Sequence, residues 1–122
     1  MNNKRRKKIK TMIGTLETIQ TFANYNLIES IKDEIEDILW EEQDAYDNMP
    51  ENLQYSMRGE ESSDAIDYLQ EAVDKLDEAV DILNEIDNLN KNDEDYKDEK
   101  ESKEDDINTY IDDAISSLES IN

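Results

Sequence analysis

The chain has 122 residues, 39% of them charged and 35% hydrophobic, with two Gly, one Pro, no Cys and no His. That length sustains one modest core, so a single domain over 1–122 is expected, and the composition excludes a disulfide framework, a thiolate metal site and a turn-rich β-fold. The formal charge is −21; six of the thirteen basic residues lie between Lys4 and Lys10, and the other seven meet all 34 acids, leaving residues 11–122 at −27, the wrong sign for direct contact with duplex phosphates and the right one for a basic partner.

Residues 1–8 form a basic arm. It does not open a signal peptide, because Thr11, Gly14, Thr15, Glu17 and Thr18 interrupt the 7–15 apolar residues such a segment needs. No stretch approaches the roughly 18 apolar residues of a membrane span, so no membrane partner and a cytoplasmic location are expected.

Ile9, Met12, Ile13, Leu16, Ile19, Phe22 and Ala23 recur at steps of three and four, the stripe of an amphipathic helix. A second stripe follows through Ile28, Ile31, Ile35, Ile38, Leu39, Glu42, Ala45 and Met49, displaced in phase across Asn24-Tyr25-Asn26. Because neither Gly nor Pro stands at that tripeptide, the pattern predicts one long helix over 4–47 with an irregularity near Asn24. Asn48-Met49-Pro50 ends it, since proline disfavours helix in the preceding residue and lacks an amide donor. An ordered loop over 48–62 follows. Trp40, Tyr46, Met49, Leu53, Tyr55 and Met57, in and around it, are expected to pack the end of the fold; Tyr55, Asn52, Gln54 and Arg58 are the alternative, a contact patch.

Ser62, Ser63 and Asp64 offer N-caps for a second helix over 63–90. Ile66, Leu69, Val73, Leu76, Val80 and Leu83, with Ile86 and Leu89 beyond, alternate by three and four as an a/d seam. Residues 91–105 carry one apolar side chain, Tyr96, among mixed charges, and read as a solvated linker or a frayed helical extension. Ile107, Tyr110, Ile111, Ala114, Ile115, Leu118 and Ile121 restore the stripe in a third helix over 106–121. Such stripes are stable only against one another. The expected fold is all-α, a three-helix antiparallel bundle or coiled coil with a long first helix, as a monomer or a homodimer closed through the seams.

Without His or Cys the usual general bases, nucleophiles and zinc ligands are missing, so no enzyme and no cofactor are expected. Asp93-Glu94-Asp95 with Asp98-Glu99 lacks the glycine that a calcium loop needs at its sixth position, where Asp98 stands, so no metal site is expected. The informative feature is acidic. From Asp64 to Asp87 nine carboxylates occupy roughly 35 Å of helix against Lys75 alone, about one per 4 Å, beside one phosphate per about 3.4 Å along a DNA strand. Asp67, Glu71, Asp74, Glu78 and Asp81 are the candidate partner-binding residues, acting as phosphate surrogates, with Glu41, Glu42, Asp44 and Asp47 extending the field. The plain alternative is a solvated polar face.

The run EEQDAYDNMPENLQYSMRGE, preceded by KRRKK and followed by AIDYLQEAVDKLDEAVDIL, resembles a recurring class of small acidic helical proteins encoded by phages and mobile elements of low-GC Gram-positive bacteria. The resemblance is specific in the loop and weak in the helices. It implies an anti-CRISPR or other anti-defence inhibitor, with a basic nucleic-acid-binding protein such as a CRISPR-associated nuclease as its partner.

Overall fold

A computed structural model describes residues 1–121. Its helices are α1 (Asn3–Phe22), α2 (Ile28–Asp47), the single-turn α3 (Glu51–Gln54), α4 (Met57–Asp87) and α5 (Tyr96–Glu119), with a 3-10 turn at Tyr25–Leu27 and no strand among the described residues. None of these helices is long and apolar enough to cross a membrane.

The expected helix over 4–47 is two helices that fold back on each other. Ala23 takes a left-handed conformation (φ 54°, ψ 36°), and the amides of Ala23 and Asn24 both donate to the Ile19 carbonyl, which closes α1. The phase shift at Asn24-Tyr25-Asn26 is thus a reversal. A straight rod would leave one of its stripes without a partner, whereas the reversal buries Ile9, Met12, Leu16 and Ile19 of α1 with Ile28, Ile31, Ile35 and Ile38 of α2 in one core. Tyr25 anchors the turn: it is buried, and its hydroxyl donates to Asn108 Oδ1 at 3.0 Å. Burial pushes the Tyr25 phenol up, an effect that the Asn108 hydrogen bond opposes and the charges of Glu104 and Asp105 reinforce.

A β-carbon in the left-handed region costs roughly 1–2 kcal/mol, and glycine loses about 0.4–1 kcal/mol of that advantage through its freer unfolded chain. Ala23→Gly is therefore expected to stabilise the protein by about 0.5–1 kcal/mol, read as a higher urea midpoint at unchanged slope. An unchanged or lower midpoint would refute the left-handed cap.

The four long helices run in alternating directions. Glu71 with Ser117, Lys75 with Asp113 and Glu85 with Lys103 step up α4 as they step down α5. Lys32 bridges α2 to Asp77 of α4 at 2.9 Å, and Gln20 of α1 donates to the Asn108 carbonyl and to Asp112 of α5. Each long helix thus packs on two neighbours in a bundle-like ring, α1 on α2, α2 on α4, α4 on α5 and α5 on α1. The reversal replaces the expected three helices with four.

The stripe of α4 is wider than the predicted seam. Leu69, Val73, Leu76 and Ile86 are buried, and so is a second row, Ala65, Ala72 and Ala79, spaced by seven. Ala72 and Ala79 lie three and four residues from Lys75, on the side that meets α5, where small side chains let the two helices approach. Two other predicted boundaries move. α4 begins at Met57, inside the expected 48–62 loop, capped by Ser56, whose hydroxyl accepts the Gly59 amide. α5 begins at Tyr96, so most of the expected linker over 91–105 is helix. Asp98 and Glu99 favour its first turn, and Lys103 fixes it to Glu85 at 3.0 Å.

Candidate acidic interface

The acidic residues predicted on α4 fall on its outer face. At about 100° per residue, Asp67, Glu71, Asp74, Glu78 and Asp81 span an arc of roughly 80° and a length of roughly 21 Å, opposite the buried row of Leu69 and Leu76. All five are exposed, and none lies within ion-pairing distance of a lysine or arginine among the described residues. Their hydrogen bonds come from neutral donors: Gln70 to Asp74 at 2.9 Å and Ser117 to Glu71 at 3.2 Å. Glu78 raises the pKa of the Tyr110 phenol, first as its hydrogen-bond acceptor and then by charge, and Asp106 and Asp113 of α5 add to the effect. The field of α4 therefore continues onto α5. The chain's own cations answer the edges of this face, where Asp77 meets Lys32, Asp113 lies 4.0 Å from Lys75 and Glu85 meets Lys103.

On α2 the structure divides the predicted residues. Asp44 and Asp47 are exposed, Asp47 accepting from Gln43 at 3.0 Å, and Glu41 forms a surface pair with Lys8 at 3.7 Å. Glu42 is not part of any outer surface. It is 1% exposed, and its Oε1 accepts from the Ser62 hydroxyl at 2.6 Å and lies 3.3 Å from the Met1 ammonium, while Oε2 accepts from Arg5 Nε at 2.8 Å. Desolvation, the largest single influence, pushes this carboxyl up; Ser62, the Met1 ammonium and Arg5 together outweigh it and hold the group below the ordinary carboxylate range. The expectation that Glu42 meets a partner is therefore corrected: it continues the apolar stripe three residues after Leu39 and seals α1, α2 and α4 together. That position in the stripe was the signal.

The same contacts revise the basic arm. Residues 3–8 are the first turns of α1, capped by Asn2, whose side chain accepts the Arg5 amide at 2.9 Å. Arg5 turns inward to Glu42, and Lys4, Lys7 and Lys10 stay exposed.

The loop residues also depart from expectation. Gln54 is held by the Tyr46 carbonyl at 2.9 Å and Met49 is half-buried, but Tyr55 is 80% exposed, Met57 77% and Trp40 62%. These three large side chains do not pack the end of the fold. α3 closes it instead, bringing the Gln54 carbonyl against Gly59. No known protein family, curated protein or solved structure matches the chain.

Proposed function

We propose that the protein is an inhibitory binding module, an acidic mimic of nucleic acid that occupies the DNA- or RNA-binding channel of a basic protein. The observation that carries this reading is the outer face of α4. Five carboxylates stand on one side of a rigid helix, unpaired with any basic side chain among the described residues, within reach of each other's fields at a Debye length of about 8 Å. A host defence nuclease such as a CRISPR effector is the target that the resemblance in the loop suggests. Self-association through the apolar seams is the weaker reading, because Leu69, Val73 and Leu76 of α4 and Ile107, Ile111 and Leu118 of α5 are already covered within one chain.

The test is Asp67→Lys/Asp74→Lys/Asp81→Lys, all at exposed positions, assayed against purified CRISPR effector nucleases for inhibition of DNA cleavage. The wild type is expected to inhibit in competition with DNA, less well as salt rises, and the triple variant at least about ten-fold more weakly. Equal inhibition by a folded triple variant would remove the α4 face from the mechanism.

A further inference from the structure

The outer face of α2 differs from that of α4 in one respect: it holds the chain's single tryptophan, well exposed, in the middle of its carboxylates. Asp37 and Glu36 lie one turn before Trp40, Asp44 one turn after it, and Asp33 and Asp47 two turns away, all on the same side of the helix. Asp33 lies 3.9 Å from Lys32, whose charge Glu36 also feels, but Asp37 and Asp44 form no ion pair with a lysine or arginine among the described residues, and no cation of those residues lies over the indole; the Lys75 contact with Tyr110 is the cation–π pair formed internally.

From this we infer that Trp40 and its flanking carboxylates form the docking point for an arginine-bearing segment of the partner. Charge complementarity selects the occupant. An apolar partner covering the indole would strip water from Asp37 and Asp44 without replacing it. A guanidinium stacks on the indole face while its N–H groups reach carboxylates on either side, satisfying both features at once. Arginine fits better than lysine, since its planar group can stack and donate together. The inference rests on the reading above that the partner is basic, and adds to it a specific anchor on a second helix.

The experiment uses the full-length protein, a nona-arginine peptide as probe and a nona-lysine peptide for comparison, at about 150 mM salt. Because Trp40 is the only tryptophan, its emission reports the contact directly. A saturable change with nona-arginine, and a weaker one with nona-lysine, is expected. By anisotropy of labelled peptide, Trp40→Ala should bind roughly two- to five-fold more weakly, with Trp40→Phe between it and the wild type. Unchanged emission at peptide saturation, or equal affinity for Trp40→Ala, would overturn the inference. So would an emission change that follows protein concentration alone with a doubling of mass, which would make the basic face of a second copy the occupant. The two readings fail separately. Loss of nuclease inhibition in the α4 triple variant with unaltered peptide affinity in Trp40→Ala leaves the mimic and removes the anchor; the opposite pair of results does the reverse.

Discussion

Glu42→Leu is expected to destabilise the protein by about 3 kcal/mol, at the lower end of the range for removing one member of a buried ion pair. The leucine side chain suits the stripe that Ile35, Ile38 and Leu39 begin, so the loss does not come from packing. It comes from the groups left behind. The Met1 side chain is 1% exposed, Arg5 is largely covered and the Ser62 hydroxyl is buried, and the Met1 ammonium, Arg5 and Ser62 each lose their acceptor. Glu42→Gln keeps an acceptor for Ser62 and loses the charge, so a smaller loss of about 1–2 kcal/mol is expected. Removing Arg5 in the same chain should cost less than the sum of the two single changes, because the groups share one network. Urea unfolding measures all three, and a loss below about 1 kcal/mol for Glu42→Leu would show that water reaches these groups.

The same carboxyl sets a pH signature. Its folded pKa lies below the ordinary value, so its stabilisation is fully present above the unfolded pKa of about 4.3 and disappears as pH falls through the folded value. The stability gap between wild type and Glu42→Gln should therefore be constant near neutrality and shrink below about pH 4. Salt separates this contribution from the surface charge. At −21 the exposed acids repel one another, and added salt should raise the melting temperature of both proteins. It should leave their difference nearly unchanged, since a buried pair is screened little.

These two kinds of charge also mark what could be read from the sequence. Residues on the apolar stripes, such as Leu16, Ile35, Leu69 and Ile111, are buried as their spacing requires, because period 3.6 leaves one direction for each side chain. The outward set from Asp67 to Asp81 follows from the same periodicity. The reversal at Ala23 was not legible, because the chain stops α1 with an alanine in a conformation that glycine usually supplies, and the burial of Tyr25 secures it. The row Ala65, Ala72 and Ala79 was hidden by the larger seam beside it. In the stretch 91–105 composition pointed to a linker, but the attachment of Lys103 to Glu85 depends on α4 lying alongside, which no local pattern shows. Glu42 gave conflicting signals: its position in the stripe placed it inside, its charge outside, and the resolution lay with Arg5 and Ser62, 37 and 20 residues away.

The second large effect is expected from a methyl group. Gly59→Ala should destabilise by about 2–3 kcal/mol, although alanine is favoured over glycine in a helix by about 1 kcal/mol. A β-carbon at Gly59 would lie 2.1 Å from the Gln54 carbonyl oxygen and 2.5 Å from that of Leu53. Both are backbone atoms, so relief requires α3 to move. α3 is closed on itself by the Leu53 and Gln54 amides donating to the Pro50 carbonyl, and it is tied to α2 by the Gln54 side chain donating to the Tyr46 carbonyl. Moving it would also disturb Ser56, which caps α4 and bonds to Leu53, and through α4 the position of Ser62 opposite Glu42. Gly14 supplies the control. It lies inside α1, where an added β-carbon would meet nothing within 4 Å, so Gly14→Ala should stabilise by roughly 0.5–1 kcal/mol. Opposite signs for the same chemical change at two helical glycines, read from urea midpoints, would isolate the close approach of α3 as the cause. Stabilisation at both positions would mean that α3 does not sit against α4 and that Ser62 reaches Glu42 without its help.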